Sequence, residues 1–389
     1  MAVRVKPELI TELAKYGAED VQKCYHCGNC SATCPFSQEP FVLPRRSMRY
    51  LQMGLEESLR GNLEPWLCYY CGECSEQCPR GAEPGETMMS LRRWLTSRYD
   101  FTGLASLFYR STRVEIAVLL LVALLTGAGM LVYGFTWGGG SLGTFDDGPA
   151  GRPFLPASAI HVFDWALGGT FMLILIVNIV RMWHFTMRAP RAPHVAASAY
   201  LRQAFVLPLH FFTQKRWSAC QDATPWRLHL GLMLGYVTML VLVMFFLEPL
   251  QHGPEIRWEV HVFGYLASAG LLAGTFYALR GRLKRDRPSH RHSHGTDWVF
   301  LVLLIVVVVT GVLLHAVHRL GFDAAANVMY VVHMMAVVPW LARYPFTKWS
   351  HLAYRPLAMY FAALQTEALL ARRAARDAEA PAAGLAPVA

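Results

Sequence analysis

The sequence predicts an all-α protein, with an N-terminal metal-binding domain of short helices followed by a six-helix bundle that crosses a membrane. Eight of the nine cysteines lie before residue 80, in two copies of one spacing pattern, and long uncharged apolar segments begin only after Arg113. Hydrophobic residues make up 54% of the 389 and charged residues 16%, which is too apolar for an ordinary cytosolic enzyme. We therefore expect three regions: a metal-binding domain at 1–105, a membrane domain at 106–357, and a C-terminal helix with a disordered tail at 358–389.

The chain is basic, with a formal net charge of +9. Such a charge can indicate nucleic acid or anionic lipid as a partner. Here the excess Arg and Lys lie in short loops between apolar segments, which favours a lipid bilayer and no nucleic acid. The N-terminus lacks the apolar core of a signal peptide. We therefore expect the cysteine domain in the cytoplasm, where cysteines serve metal binding or catalysis more often than disulfides.

The cysteines form two runs of identical spacing, Cys24-x2-Cys27-x2-Cys30-x3-Cys34-Pro35 and Cys68-x2-Cys71-x2-Cys74-x3-Cys78-Pro79. This is the run of bacterial two-cluster ferredoxins, in which the fourth cysteine of each copy binds the other 4Fe–4S cluster. We predict a first cluster on Cys24, Cys27, Cys30 and Cys78, and a second on Cys68, Cys71, Cys74 and Cys34. Zinc is the alternative, but zinc sites pair two distant knuckles and do not pack four cysteines into eleven residues.

Helices are predicted around the cysteine runs. Arg45–Arg60 has apolar residues at helical spacing, and a second helix is predicted from Gly85 to Tyr99. A small ferredoxin has short strands there, so the pattern favours the α-helical variant of the ferredoxin fold. The ninth cysteine, Cys220, stands alone in a predicted loop, and we expect an incidental thiol because no thiolate-stabilising setting is visible.

Six segments are long enough to cross a bilayer, which takes about 20 mostly apolar residues. They are Val114–Phe135, Ala159–Trp183, Trp226–Leu247, Trp258–Leu279, Trp298–His318 and Ala325–Arg343. The loops 186–225 and 280–296 are rich in Arg and Lys, whereas the opposite loops carry one each: Arg152, Arg257 and Arg319. The positive-inside rule then places both termini in the cytoplasm, and predicts a multi-pass protein of the cytoplasmic membrane.

Histidines within membrane spans are costly and tend to be functional. His333 and His351 are 18 residues apart, which on one helix would put them on the same face and near opposite membrane surfaces. His229, at the cytoplasmic start of the third span, matches the depth of His351. Haem is the natural partner of clusters in a membrane, so we predict a haem b between His229 and His351 and an outer haem at His333. The other histidines are interpreted as interfacial or loop residues: His184, His194, His210, His252, His290, His292 and His294.

The second ligand of the outer haem is open, so the sequence predicts one or two haems. The candidates at suitable depth are His161, His261, His315 and Met239. His161 is favoured because Asp164, three residues on, shares its helical face and is placed to orient the imidazole. Asp164 is also a candidate catalytic proton carrier, since a buried carboxylate beside a haem can take up and release protons. The alternative is that Asp164 only makes a hydrogen bond between helices.

The two halves resemble known families. The N-terminal half is similar to the small iron–sulfur subunit of heterodisulfide reductase in the stretches CYHCGNCSATCP, LPRRSMRYLQMGL and WLCYYCGECSEQCPRGAEPGETMMSLRRW. The membrane half resembles the membrane subunit of heterodisulfide reductase and the gamma subunit of respiratory nitrate reductase in RLHLGLMLGY and VHMMAVVPWLARYPFTKWSHLAYRPL. Fusion of the two is the plan of the membrane subunit of quinone-interacting membrane-bound oxidoreductases, and the resemblance covers about residues 5–360.

The resemblance implies a cytochrome b subunit that exchanges electrons between membrane quinone and cytoplasmic flavoprotein and iron–sulfur subunits. His229, His333 and His351 fall where nitrate reductase gamma subunits carry haem ligands, and Met239 lies near the place of a fourth histidine. No Cys-Cys-Gly motif occurs, so we expect a relay without a disulfide-reducing centre of its own. The alternatives are a non-catalytic membrane anchor that docks partner subunits, and a redox-driven ion transporter, which would need a file of intramembrane carboxylates.

Overall fold

The computed structural model describes residues 4–145, 153–189, 192–247 and 257–379. Across these ranges the chain forms helices and no β-strand, apart from an isolated antiparallel bridge between Gln38 and Phe41. The all-α prediction is therefore confirmed. Three residues used above, Arg152, Arg191 of the basic loop and His252, lie outside the described ranges, as do residues 380–389 of the predicted tail.

Short helices build the N-terminal domain. They are α1 (Leu9–Ala14), α2 (Asn29–Thr33), α3 (Arg45–Gln52), α4 (Glu56–Arg60), α5 (Glu64–Leu67), α6 (Glu73–Glu76) and α7 (Pro84–Tyr99). The predicted helix at Arg45–Arg60 is in fact two, because Gly54 turns the chain with a φ of +64°. A Cβ at Gly54 would lie 2.5 Å from the Lys6 carbonyl oxygen, so only glycine fits this turn.

Six helices of the second half are long and apolar enough to cross a membrane. After the linking helix α8 (Leu104–Arg110), they are α9 (Thr112–Thr136), α10 (Ala157–Met187), α13 (Thr224–Phe245), α14 (Trp258–Lys284), α16 (Gly295–Arg319) and α17 (Asp323–Ala342). The loops between them hold α11 (Ala197–Arg202), α12 (Val206–Thr213), a 3₁₀ helix at Lys215–Ala219, and α15 (Pro288–Arg291). All six predicted spans are confirmed as helices, and their ends agree within a few residues.

His333 and His351 lie on different helices, which corrects the assumption of one continuous helix. Helix α17 ends at Ala342, the chain turns, and a 3₁₀ helix at Lys348–Ser350 leads into α18 (His351–Glu379). Pro345 explains the break, because proline disfavours the helical conformation of the residue before it. Helix α18 continues to Glu379, so the described part of the region 358–389 is helical.

The cysteine domain and the membrane domain share one hydrophobic core. Trp66 of α5 and Tyr99 of α7 pack against Tyr354 of α18, with ring centres 5.3 and 5.5 Å from it. A buried ion network crosses the same boundary: Arg93 pairs with Asp297 at 3.1 Å, and Asp297 pairs with Lys348 at 3.2 Å. Removing one partner of a buried pair typically costs about 3–5 kcal/mol. The two domains are therefore held in a fixed arrangement.

Candidate metal centres

The two cysteine runs adopt the same backbone conformation. His26 and Gly28 have φ angles of +61° and +90°, and Tyr70 and Gly72 have +55° and +91°. These left-handed residues, two of them glycines that adopt such angles at little cost, curl each loop just before α2 or α6. Equal spacing in the sequence thus becomes equal geometry, and each loop turns its first three cysteines toward one centre.

The first group consists of Cys24, Cys27, Cys30 and Cys78, which line one cavity. Three come from the first run and the last comes from the second run, as the crossed assignment requires. Cys30 is buried, and burial raises the pKa of its thiol to about 11. Cys27 is exposed, so this centre opens toward solvent.

The second group consists of Cys34 from the first run and Cys68, Cys71 and Cys74 from the second run, which interact electrostatically with one another. Burial raises the pKa of Cys34 to about 12 and that of Cys74 well above the usual thiol range. Tyr70 donates its backbone N–H to Cys68 Sγ at 3.3 Å. Bonds of this kind stabilise ligand sulfurs of iron–sulfur clusters.

Two buried arginines lie beside the second group. Arg355 donates to the Cys68 carbonyl oxygen at 2.9 Å, and Arg92 donates to the same oxygen. Arg92 and Arg355 are only 8% and 9% exposed, and a buried charge needs a counter-charge. Burial lowers the pKa of Arg92 to about 9, with the neighbouring charge of Arg355 as the next contribution. An anionic cluster held by four thiolates fits this setting, because it would supply the negative charge.

The structure places His229 and His351 next to each other, with ring centres 5.9 Å apart and ring planes tilted by 57°. Two imidazoles that bind one metal from opposite sides have ring centres about 6 Å apart, since each metal–nitrogen bond is about 2 Å. His229 Nδ1 donates to Gln214 Oε1 at 2.9 Å, and His351 Nδ1 donates to the Lys348 carbonyl oxygen. Because those oxygens only accept, both Nε2 atoms present a lone pair. Metal-binding histidines are typically oriented in this way, so the pair fits a haem with two imidazole ligands.

The outer histidine His333 is anchored by a hydroxyl group. Its Nδ1 lies 2.9 Å from Thr310 Oγ1 of α16, and a Cβ at Gly311 would lie 3.1 Å from its ring. Among the residues that the structure describes, no hydrogen bond or ring contact joins His333 to His161, His261 or His315. The predicted outer pair is therefore not brought together as the inner pair is.

Two outer histidines pair with each other instead. The ring centres of His261 and His315 are 5.5 Å apart. His261 Nδ1 donates to the Arg257 carbonyl oxygen at 2.8 Å, and its Nε2 lies 2.8 Å from Arg319 Nη2. His315 Nε2 lies 3.0 Å from the Tyr265 hydroxyl. Protein groups thus occupy both nitrogens of His261, which does not favour it as a haem ligand.

The candidates on α10 are close to each other without a direct bond. Asp164 and His161 are both half-buried, and their charges interact. Within the described part of the chain, no hydrogen bond joins them. Asp164 also lies near Tyr330 of α17.

Three of the histidines predicted as loop or interfacial residues make other contacts. His210 packs edge-on to Tyr69, with ring centres 6.4 Å apart, and burial lowers its pKa to about 3. His292 lies 3.5 Å from a Glu83 carboxylate oxygen, and His294 caps α16 by accepting from the Thr296 N–H.

The role of the loop before α13 was not predicted from the sequence. Cys220 is 6% exposed, and its Sγ lies within 4.8 Å of Cys71 Sγ and a Glu73 carboxylate oxygen. The neighbouring Cys220 thiol is the largest influence on Cys71, and it lowers the pKa of the Cys71 thiol. Trp217 contacts the Tyr69 and His229 rings at 5.6 and 5.1 Å. The sequence predicted an incidental thiol, and its position beside Cys71 and Glu73 arises from tertiary packing that local patterns do not show.

Residues 20–82 match the family described as a 4Fe-4S dicluster domain, and this range includes both cysteine runs. No curated protein and no solved structure matches the chain. The protein therefore carries an iron–sulfur domain joined to helices that are able to cross a membrane, which supports an electron-transfer role at a membrane.

Proposed function

We propose that the protein is the electron-transfer subunit of a membrane-bound quinone oxidoreductase complex. It passes electrons between the quinone pool, haem b and two 4Fe–4S clusters, to or from cytoplasmic flavoprotein and iron–sulfur subunits. Both termini lie on the cytoplasmic side, as the loop charges predict. The observation that carries this proposal is the series of packed side chains that links the second cysteine group to the His229–His351 pair.

Two routes of packed side chains join the cysteines to the histidines. On one route, Arg355 lies one helical turn after His351, bonds the Cys68 carbonyl oxygen, and stacks 3.8 Å from the centre of the Tyr69 ring. On the other route, Trp217 touches both Tyr69 and His229. A few packed side chains thus separate the cysteines from the histidines, which is the arrangement that an electron relay requires.

The proposal assigns the ligands as the sequence predicted. Cys24, Cys27, Cys30 and Cys78 hold the first cluster, and Cys34, Cys68, Cys71 and Cys74 hold the second. His229 and His351 hold the inner haem b, with Gln214 and the Lys348 carbonyl orienting their rings. Haem supplies one-electron chemistry when bound, which matches the one-electron steps of the clusters.

The outer part of the proposal rests on fewer contacts. His333 and His161 are proposed to hold a second haem, and Asp164 to carry protons for quinone chemistry. Asp164 is supported by its half-buried position in α10, its proximity to His161, and the nearby Tyr330 hydroxyl. A carboxylate at membrane depth is costly unless it serves a function.

Spectroscopy of the purified full-length protein tests the proposal against the alternative of a non-catalytic anchor. A relay carries about eight irons in its clusters, shows a sharp haem alpha band on reduction, and reduces that haem when quinol is added. An anchor carries the clusters but shows no haem band. Stoichiometric zinc in place of iron would remove the relay altogether.

A further inference from the structure

One short segment of the chain, referred to as the turn, joins the second cysteine group to the inner histidine pair. It begins at Gln214, passes through the 3₁₀ helix Lys215–Ala219, and ends at Cys220, just before α13. Gln214 precedes this helix with a left-handed backbone, Trp217 lies within it, and Cys220 follows it in an extended conformation. We call these three side chains the row.

Each side chain of the row makes one contact with a metal-binding group. Gln214 accepts from His229 Nδ1 at 2.9 Å, and Trp217 packs edge-on to the His229 ring. Cys220 faces Cys71 at the other end. Beside it, the Gln221 backbone N–H donates to Glu73 Oε1 at 3.1 Å, which fixes the end of the turn against α6.

The first cysteine group has no counterpart of this turn. The residues that line its cavity all belong to the N-terminal domain: the loop 24–28, Cys30, Arg45, 78–80 and Pro84. Cys27 at its edge is exposed, whereas the second group is covered by the row and by Arg355. One centre thus faces solvent, and the other faces the membrane domain.

We propose that the turn Gln214–Cys220 makes the second cluster the membrane-side centre of the relay, with Cys220 as a positioning residue that donates an S–H bond to the Cys71 thiolate and raises the reduction potential of that cluster. The first cluster is then the one that exchanges electrons with the soluble partner. This inference rests on the proposed function, since it presumes clusters and an inner haem. Each transfer moves one electron and no proton, so one centre is oxidised as its neighbour is reduced.

The physical reason is electrostatic. Reduction adds negative charge to a cluster, and a hydrogen bond to a ligand sulfur stabilises that charge. A hydrogen bond to a charged group changes an equilibrium by about tenfold. For a one-electron reduction, a tenfold change corresponds to about 59 mV.

The test is a redox titration of the full-length protein, followed by electron paramagnetic resonance, for Cys220→Ala and Cys220→Ser. Cys34→Ser identifies the signal of the second cluster, because the crossed assignment gives that cluster a changed ligand. We expect Cys220→Ala to lower the potential of the second cluster by about 59 mV and to leave the first unchanged. Cys220→Ser keeps a donor and should recover most of the shift.

Ser218→Ala is the matched control, since Ser218 lies on the same turn and is exposed. It should move neither potential. An unchanged second cluster in Cys220→Ala, or an equal shift of both clusters, overturns the inference. These failures differ from failure of the proposed function: a protein without a haem band refutes the relay, whatever Cys220→Ala does to the clusters.

Discussion

The inner and outer histidines of the membrane domain use the same side chain in different ways. His229 and His351 lie close together, and each uses Nδ1 for a fixed oxygen acceptor and leaves Nε2 available. His261 and His315 also lie close together, but Arg257, Arg319 and Tyr265 engage their nitrogens. The difference teaches that proximity of two imidazoles does not define a haem site. In the proposed haem pair Nδ1 of each ring is held by an oxygen and Nε2 is left for a metal, whereas protein groups engage both nitrogens of His261.

The largest expected effect is at the inner pair. His351→Ala removes one of two opposed ligands, so we expect loss of the inner haem with both clusters retained. Haem and iron content per protein, measured on the same preparation, check this. His184→Ala is the control, because His184 lies near the same membrane face without a place in the pair. Haem content that stays at the level of the unaltered protein would remove His351 as a ligand.

At the outer side, the corresponding change is His161→Ala. We expect loss of the outer haem, which leaves one haem per chain and sharpens the contrast with the inner site. His261→Ala is the comparison, since both nitrogens of His261 are engaged by protein groups. If His161→Ala keeps two haems while His261→Ala or Met239→Ala loses one, the ligand of the outer haem is that residue.

A smaller effect is expected from the groups that orient the rings. Gln214→Leu removes the acceptor of His229 Nδ1, and Thr310→Val removes the partner of His333 Nδ1. Loss of such partners typically weakens metal binding about 10–100-fold. Haem titration of the depleted protein measures this affinity. If Gln214→Leu binds haem as tightly as the unaltered protein, its hydrogen bond does not support the site.

The sequence predicted those parts of the molecule that depend on local spacing. The six spans follow from the length of apolar runs, and the two cysteine groups follow from two short motifs, so local patterns were enough to locate both. The contacts of Cys220 could not be found in this way, because they join α6 to a loop about 150 residues later. The break at Pro345 was also missed as a helix end, since proline inside a long span can bend a helix instead of ending it.

Some agreements have a different physical origin from the one assumed. His229 and His351 were matched by depth along two helices, and the structure places them together. Yet His351 belongs to the start of α18, and the preceding 3₁₀ helix supplies the Lys348 carbonyl that orients it. The helix end that the sequence did not predict is therefore what anchors the histidine that the sequence did predict.

The smallest expected effect on haem binding is at Asp164. Here the comparison is between the carboxylates of the two sides and their ability to exchange a proton. The inner side has a carboxylate, Asp297, that is fully committed to Arg93 and Lys348. Asp164, in contrast, has no ion pair among the described residues, so its carboxylate remains free to exchange a proton. Asp164→Asn keeps the shape and removes the exchangeable charge. We expect both haems to be retained and quinone turnover to slow by about a hundredfold, the lower end of what a positioned proton carrier contributes.

Stopped-flow oxidation of quinol, followed at the haem band, measures that rate. Asp323→Asn is the matched control, because Asp323 also lies at the end of a span, at the start of α17, without a neighbouring histidine candidate. The decisive comparison is the rate of haem reduction by quinol against the rate by a chemical reductant that needs no proton transfer. If Asp164 carries protons, its loss slows haem reduction by quinol and does not slow haem reduction by the chemical reductant. If Asp164→Asn slows both equally, Asp164 supports the packing of α10 against α17; if it slows neither, quinone protons take another route.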